Sequence, residues 1–344
     1  MCSSDLLPCQ GARYADASGS SLLVRDFASG RVRATQFTEG SADTASARAA
    51  YDTAVSWFAG CTQGRTQLLG TYDVPGTGDD ALMFVLRDWA NPAQTRVVGV
   101  ARTGDFITAT AALLPGTDPA LLPQRRLLQA SVTALCDQPG AGACVSGDAK
   151  VQAVAPLPLA EDPAMLGVVD LPPVSGIDRP WKAGAATKVK QNVAATRCDR
   201  ASFTAPVGGV DFTRASTRTF LIPGADLPPE FGLTETVGVL TPDAASAFVA
   251  QVRDRLASCG QRQIGTQVSR LASSSTAGTD LSVWRVTSQI SVSRSVRYAM
   301  AILRDGARVA QVGFIAGPRA DLSDDDVVAL ARRALDRLGE LPTD

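Results

Sequence analysis

The feature of this 344-residue chain that most restricts its fold is a unit that occurs twice, with cysteines in the same register. Cys9 and Cys61 enclose a strand-rich stretch and a helix, and Cys198 and Cys259 enclose the same order of elements. Both predicted helices, TASARAAYDTAVSWFAGC and TPDAASAFVAQVRDRLASC, run up to the second cysteine of their pair. A repeat of this length is typical of a tandem duplication, so we predict two domains with one fold.

Three further segments match in the same order. The strand DALMFVLRDW aligns with TDLSVWRVTS, and the hairpin turn 102–104 aligns with the turn 304–306. The segment DPALLPQRRLLQASVTAL aligns with DLSDDDVVALARRALDRL as a closing helix. In the second copy Ser323 is the predicted N-cap, and the aspartates after it interact favourably with the helix dipole.

The predicted domain boundaries follow from this alignment. Residues 1–6, MCSSDL, resemble the translated end of a sequencing adapter, and we expect them to be an artefact. The natural N-terminus would then be missing, so the lack of a signal peptide carries no weight. Residues 7–137 form the first repeat, and residues 164–341 form the second. The Pro- and Ala-rich stretch 138–163 between them is predicted to be a mostly extended linker.

The local patterns indicate the fold class. Each repeat is predicted to contain two strands, a helix, a meander of three or four strands and a second helix. Thr241 is a predicted N-cap with Pro242 in the first helical turn. In the segment 282–292 apolar side chains alternate with polar ones, as in a strand buried on one face. We therefore predict an α+β protein with two homologous domains, each a mainly antiparallel sheet with helices packed on one face.

Composition excludes several classes of function. With 33 basic and 34 acidic residues the net charge is −1, and the basic residues are scattered, so nucleic acid or anionic membrane is not an expected partner. The chain has no histidine, which excludes Ser-His-Asp, Cys-His and His-metal chemistry. Asp79, Asp80 and the group 324–326 could pair as carboxylates for glycoside hydrolysis, but turn and helix-dipole roles explain them better. We expect no enzymatic activity and no cofactor.

The cysteines indicate the compartment. Without Cys2 their number is six, with no CxxC motif, so disulfides are favoured over metal ligation. The repeats suggest the pairs Cys9–Cys61 and Cys198–Cys259. Cys136 and Cys144 enclose a short Pro-Gly turn that can close locally. In the loop-entropy model each long bridge contributes roughly 4 kcal/mol. Three disulfides predict an oxidising, extracytoplasmic location.

The order of these motifs resembles a known family. Cysteine, strands, a (T/S)PxxA helix start, cysteine, meander and helix, with the lead-in LxxxDLPPV…W, are similar to the extracellular sensor domain of the actinobacterial receptor kinase PknH and of related envelope lipoproteins. The resemblance implies an exported protein on the outer face of the cytoplasmic membrane, held by a lipid or one membrane helix. It also implies one disulfide-linked sheet per domain and a broad open cleft that binds a ligand. The kinase motifs VAIK, HRD and DFG are missing, so signalling would require another polypeptide or a lost segment.

Candidate ligand-binding residues lie on the predicted meander strands. In the second repeat the face opposite Trp284 is expected to be uncovered, and it could bind a polar or anionic ligand. In the first repeat an arginine beside a tryptophan could stack on a sugar or ring. An ordinary solvated sheet face is the alternative, and the difference between the copies suggests divergent ligand preference, with the first repeat favouring anionic or ring-bearing ligands. The six candidates are Arg87, Trp89, Arg285, Thr287, Gln289 and Arg297.

Two functional hypotheses remain. The first is a non-catalytic, sensor-like envelope protein that binds an unknown small molecule. The second is a structural or interaction module that docks another envelope protein through its sheet face or edge. A deep pocket with convergent polar side chains favours the first, and flat apolar patches on both repeats favour the second. In either case membrane contact is expected only through the missing N-terminal anchor, and the sequence does not specify an oligomeric state.

Overall fold

The chain forms two compact units, residues 1–159 and 160–344, in a computed structural model. The structure describes residues 6–30, 32–147, 150–191, 194–292 and 294–343. Cys2 and the other residues of 1–5, predicted to be an artefact, lie outside these ranges. No helix in the described part of the chain is long and apolar enough to cross a membrane.

The first unit is built from one seven-stranded antiparallel sheet and two helices. Its elements are β1 (Ser21–Ser29), β2 (Val32–Gly40), α1 (Thr44–Ala59), β3 (Thr66–Asp73), β4 (Asp80–Asp88), β5 (Gln94–Thr103), β6 (Phe106–Leu114), α2 (Leu122–Thr133) and β7 (Gln152–Val154). The strand order is β1-β2-β6-β5-β4-β3-β7.

The second unit has an eight-stranded sheet and three helices. Its elements are β8 (Lys182–Ala183), β9 (Thr187–Lys188), β10 (Thr213–Leu221), β11 (Gly232–Val239), α3 (Pro242–Ala257), α4 (Cys259–Arg262), β12 (Thr266–Ser275), β13 (Thr279–Ser291), β14 (Arg294–Asp305), β15 (Arg308–Ile315) and α5 (Asp324–Leu338). The strand order is β12-β13-β14-β15-β11-β10-β8, and β9 also pairs with β10.

Six strands follow the same order in both units, as the repeat predicted. Strands β1 to β6 correspond in turn to β10 to β15, and α1 and α2 correspond to α3 and α5. The strand pairs within both sheets are antiparallel, which confirms the α+β class. The predicted caps also form: the Thr241 side chain accepts the N–H of Ala244, and the Ser323 side chain accepts that of Asp326.

Helices pack on both faces of each sheet, and not on one face as the sequence predicted. In the second unit Val283 belongs to the core with α5, whereas its neighbour Trp284 belongs to the core with α3. In the first unit Met83 packs with α2, and Phe84 lies 6.3 Å from the ring of Phe58 in α1. The central strands therefore contain consecutive buried residues, because both of their faces are covered.

Three disulfides close both units, in the predicted pairs Cys9–Cys61, Cys136–Cys144 and Cys198–Cys259. The equivalent bridges Cys9–Cys61 and Cys198–Cys259 each tie the segment before β1 or β10 to the region where the first helix of the unit ends. Three disulfides fit an oxidising, extracytoplasmic environment.

The stretch 138–163, predicted as an extended linker, contains strand β7, which pairs with β3. Its first part is also bound to the first unit, since the Gly140 carbonyl accepts the Asp105 N–H and the Ala143 carbonyl accepts the Thr103 hydroxyl. Paired backbone groups therefore hold the described parts of this Pro-rich stretch against the first unit.

Residues 164–190, called the arm here, cover one side of the second unit. The Trp181 ring is buried and stacks on Phe231, and its indole N–H donates to the Pro172 carbonyl. Asp170 of the arm forms a buried ion pair with Arg337 of α5, with Nε–Oδ2 at 2.6 Å. The arm is therefore part of the core of the second unit.

Candidate functional site

The four candidate residues of the second unit lie on one face of β13 and β14, but α5 covers part of that face. Arg285 donates to Asp321 at 3.0 Å, to Asp324 at 2.7 Å and to the Leu322 carbonyl at 2.7 Å. Arg297 forms a second ion pair with Asp321, at 2.9 Å. This part of the face is therefore covered, and not uncovered as the sequence had predicted, because Arg285 and Arg297 bind the segment that begins α5.

Thr287 and Gln289 lie farther along β13, toward the end of the strand. Thr287 pairs across the strands with Arg297, and two of the candidates, Arg285 and Arg297, meet at Asp321. Gln289 is exposed, and its backbone N–H donates to the Gly265 carbonyl. These residues do not line the cleft described below.

Arg87 and Trp89 of the first unit are neighbours, as the sequence suggested. The Arg87 guanidinium lies 5.2 Å from the Trp89 ring centroid and donates to the Thr95 hydroxyl and the Gly116 carbonyl. The Trp89 indole N–H donates to Gln67 at 3.0 Å. The Arg87 guanidinium and the Trp89 indole N–H therefore both donate to protein groups near the end of β4.

The two acidic groups have structural roles. Asp79 accepts the backbone N–H groups of Gly104 and Ala143, and Asp80 forms an ion pair with Arg102 at 2.7 Å. An equivalent pair, Asp280 with Arg304, occurs at the matching register of the second sheet. In the sequence, this repeated ion pair was indicated by the arginine that begins both aligned hairpin turns, 102–104 and 304–306.

The acidic group 324–326 lies at the start of α5. Asp324 binds Arg285, and Asp326 accepts the Ser323 hydroxyl in the cap. These carboxylates are used by the helix start, in agreement with the dipole role.

A cleft of about 800 Å³ opens at one end of the second sheet, and we call it the loop cleft. Three segments form its walls: residues 176–179 of the arm, residues 224–228 between β10 and β11, and residues 318–320 between β15 and α5. Two of these connections are bound together, since Ser175 N–H donates to the Asp321 carbonyl and Asp321 N–H donates to the Ser175 hydroxyl. Two of the three walls are therefore held together before any ligand binds.

Glycines shape the loop cleft at two points. Gly176 and Gly224 both have φ of +73°. A side chain at Gly224 would come within 3.0 Å of Arg179 Nη1, and one at Gly176 would come within 2.9 Å of the Arg319 carbonyl. The left-handed backbone favours glycine at both positions, and at Gly176 the nearby backbone carbonyl adds to this requirement.

The lining of the loop cleft combines apolar and charged groups. Ile177, Leu227 and Pro228 are half-buried along its walls. Arg179 and Arg319 are exposed, and within the described ranges of the chain neither forms a hydrogen bond or an ion pair. Two available guanidinium groups beside apolar surface suit a polar ligand that carries a carboxylate or phosphate.

The described part of the first unit has no wall equivalent to residues 224–228. Its strand β1 ends at Ser29 and β2 begins at Val32, whereas residues 222–231 join β10 and β11. The loop cleft was missed from sequence because its lining comes from three separated loops. The sequence feature that could have indicated the cleft is the long connection IPGADLPPEF, because the aligned connection in the first repeat is much shorter.

Comparisons with known proteins give weak matches. Neither a family model nor a curated protein matches this chain. The extracellular domain of PknH from Mycobacterium tuberculosis is similar in structure, with a TM-score of 0.32 and 13% identity, over 47% of this chain and 86% of that one. The immunity protein TplEi of the Pseudomonas aeruginosa T6SS, complexed with "L" peptide, gives a TM-score of 0.21 and 8% identity over 94% and 98% of the two chains. At these TM-scores none of the similarities assigns a function.

Proposed function

We propose that this protein is a non-catalytic, sensor-like ligand-binding protein of the cell envelope, and that the loop cleft of the second unit is its binding site. The disulfides support an extracytoplasmic location. We further propose that an N-terminal anchor holds it at the outer face of the cytoplasmic membrane, by resemblance to envelope lipoproteins. Fractionation of cells that express the natural gene product would test the anchor.

The observation that carries the binding function is the pair of available arginines in a preformed cleft. Arg179 and Arg319 come from different loops and line the same space. Its volume of about 800 Å³ is in the usual range for small-molecule sites. The ligand class that fits is a small organic anion with an apolar part.

Thermal shift with a panel of carboxylates, phosphorylated sugars and short anionic peptides tests this function. A binding compound should raise Tm for the unmodified protein, and Arg179→Ala or Arg319→Ala should reduce its affinity by about tenfold or more. Arg270→Ala is the matched control, because Arg270 is an exposed arginine of β12 outside the loop cleft.

Two results would contradict the proposal. A ligand whose effect is unchanged by both cleft variants but abolished by Arg87→Ala and Trp89→Ala would place the site in the first unit. A panel without any saturable binder would leave protein docking as the better function, and the exposed apolar side chains of β1 already favour that alternative.

A further inference from the structure

The two sheets can be compared residue by residue on the face that carries α2 or α5. Counted from the equivalent turns 102–104 and 304–306, Thr110 of β6 occupies the same position as Val312 of β15. Thr110 pairs with Gln36 of β2, which in turn pairs with Arg25 of β1. In the same way Val312 pairs with Glu235 of β11, which pairs with Arg218 of β10. Arg25 therefore corresponds to Arg218, and Gln36 corresponds to Glu235.

The same register matches the apolar side chains two residues farther along the edge strands. Phe27 of β1 pairs with Ala34, and Phe220 of β10 pairs with Leu233. Each edge strand thus presents an arginine and, two positions on, a phenylalanine to the same face of its sheet. An edge with this pair of side chains occurs in both units.

In the second unit the arm occupies this edge and face. Strands β8 and β9 pair with β10, and the Gly184 N–H donates to the Thr219 carbonyl at 2.8 Å. Arg218 donates to the Gly184 carbonyl at 2.9 Å and to the Leu166 carbonyl at 3.3 Å.

The arm completes the site with a buried polar contact and an aromatic anchor. Glu235 Oε2 accepts the Leu166 N–H at 2.7 Å. Trp181, which directly precedes β8, stacks on Phe231 with ring centroids 5.8 Å apart. As a result Arg218 and Phe220 are buried, with 7% and 0% of their surface exposed.

The first unit has the equivalent arginine and phenylalanine, but both side chains are exposed. Within the described residues β1 pairs only with β2, so its outer edge has no strand beside it. Phe27 is 42% exposed and Leu23, on the same face, is 63% exposed; Arg25 is also exposed. Helix α2 packs on β5 and β6, away from this edge. We call the surface formed by Leu23, Arg25, Phe27 and Gln36 the open face.

An open strand edge beside exposed apolar side chains is the arrangement that binds an extended peptide by strand addition. We propose that the open face of the first unit binds an extended segment of another polypeptide, as an antiparallel strand on β1. The segment has the chemistry of the arm: an aromatic residue that packs at Val32, the exposed position equivalent to Phe231, followed by strand residues that cover Phe27 and whose carbonyl accepts from Arg25. This docking is separate from the loop cleft of the second unit.

The arm itself supplies the probe. A fluorescein-labelled peptide of residues 164–190 is titrated into the complete 344-residue chain and followed by anisotropy. We expect saturable 1:1 binding, together with slower amide exchange in residues 21–29. A peptide with Trp181→Ala should bind about tenfold more weakly. A peptide with Gly184→Pro, which lacks the N–H that pairs in the second unit, should also bind more weakly.

Protein variants locate the bound peptide. Phe27→Ala and Arg25→Ala should each weaken binding by about tenfold. Their controls are on the same hairpin but on its opposite face: Val24→Ala, which is 47% exposed, and Arg33→Ala. Circular dichroism of each variant confirms that the fold is retained.

Three outcomes would overturn the proposal. The first is no saturable binding up to about 1 mM peptide. The second is binding that Phe27→Ala and Arg25→Ala weaken no more than their controls do. The third is self-association of the free chain that Phe27→Ala abolishes in sedimentation, because the occupant of the open face would then be a second copy.

Discussion

Glu235 of β11 is a buried carboxyl whose protonation should control the stability of the second unit. Burial raises its pKa to about 8 from an ordinary value of 4.5. The Leu166 N–H, which donates to Oε2 at 2.7 Å, acts in the opposite direction, but desolvation is the larger effect.

The direction of the pH dependence follows from this difference. The folded state binds the Glu235 proton more tightly than the unfolded state, so protonation favours folding. This contribution is complete below about pH 4.5 and is lost as the pH rises toward 8. One pKa unit corresponds to about 1.4 kcal/mol, so the free energy of unfolding should fall by roughly 2–3 kcal/mol between pH 5 and pH 7.

Glu235→Gln tests this reasoning because glutamine keeps a carbonyl acceptor for Leu166 and does not titrate. Urea unfolding followed by tryptophan fluorescence at pH 5, 6, 7 and 8 should show a flatter profile for the variant. The chain contains no histidine, so few other groups titrate in this range. Glu39 and Asp336, whose pKa values are also raised by burial, contribute equally to both proteins.

The control is Glu230→Gln, a carboxyl at the surface beside Arg294, which should keep the slope of the unmodified protein. An equal slope in Glu235→Gln and in the unmodified protein would refute the assignment of the pH dependence to this buried group.

Two other changes should also be measurable by urea unfolding. Arg337→Met removes the nearer of two cations beside the fully buried Asp170, since Arg333 remains at 3.8 Å, and should destabilise the second unit by about 3 kcal/mol. Asp170→Asn in the same chain should restore part of that loss, and no restoration would argue against the ion pair. The Cys198→Ser and Cys259→Ser double variant should lower the stability of the second unit by roughly 4 kcal/mol, whereas peptide maps that join Cys61 to Cys259 would contradict the pairing.

Features encoded locally or by repetition were predictable from the sequence. The cysteine register gave the disulfide pairs, and the side chains of Thr241 and Ser323 marked helix starts because capping involves only neighbouring residues. The repeated order of elements gave the shared strand order, since equivalent segments fold in the same way.

Features that depend on packing between distant segments were not predictable. The alternation in β13 suggested one buried face, yet Val283 on the opposite face is also buried because α5 covers it. Arg285 was predicted to face a ligand, but its partners Asp321 and Asp324 lie more than thirty positions later in the chain. The loop cleft and the arm contacts of Arg218 could not be predicted for the same reason, because each depends on segments that are far apart in the sequence.

The most direct test of ligand binding at the loop cleft is chemical-shift mapping of the complete, isotope-labelled chain. Small carboxylates and sugar phosphates would be titrated one at a time, with the disulfides intact. We predict perturbations concentrated in residues 176–179, 224–228 and 318–320, and their loss in Arg179→Ala. Saturable perturbations confined to the Arg87 and Trp89 region, or to no contiguous surface, would contradict the proposed site.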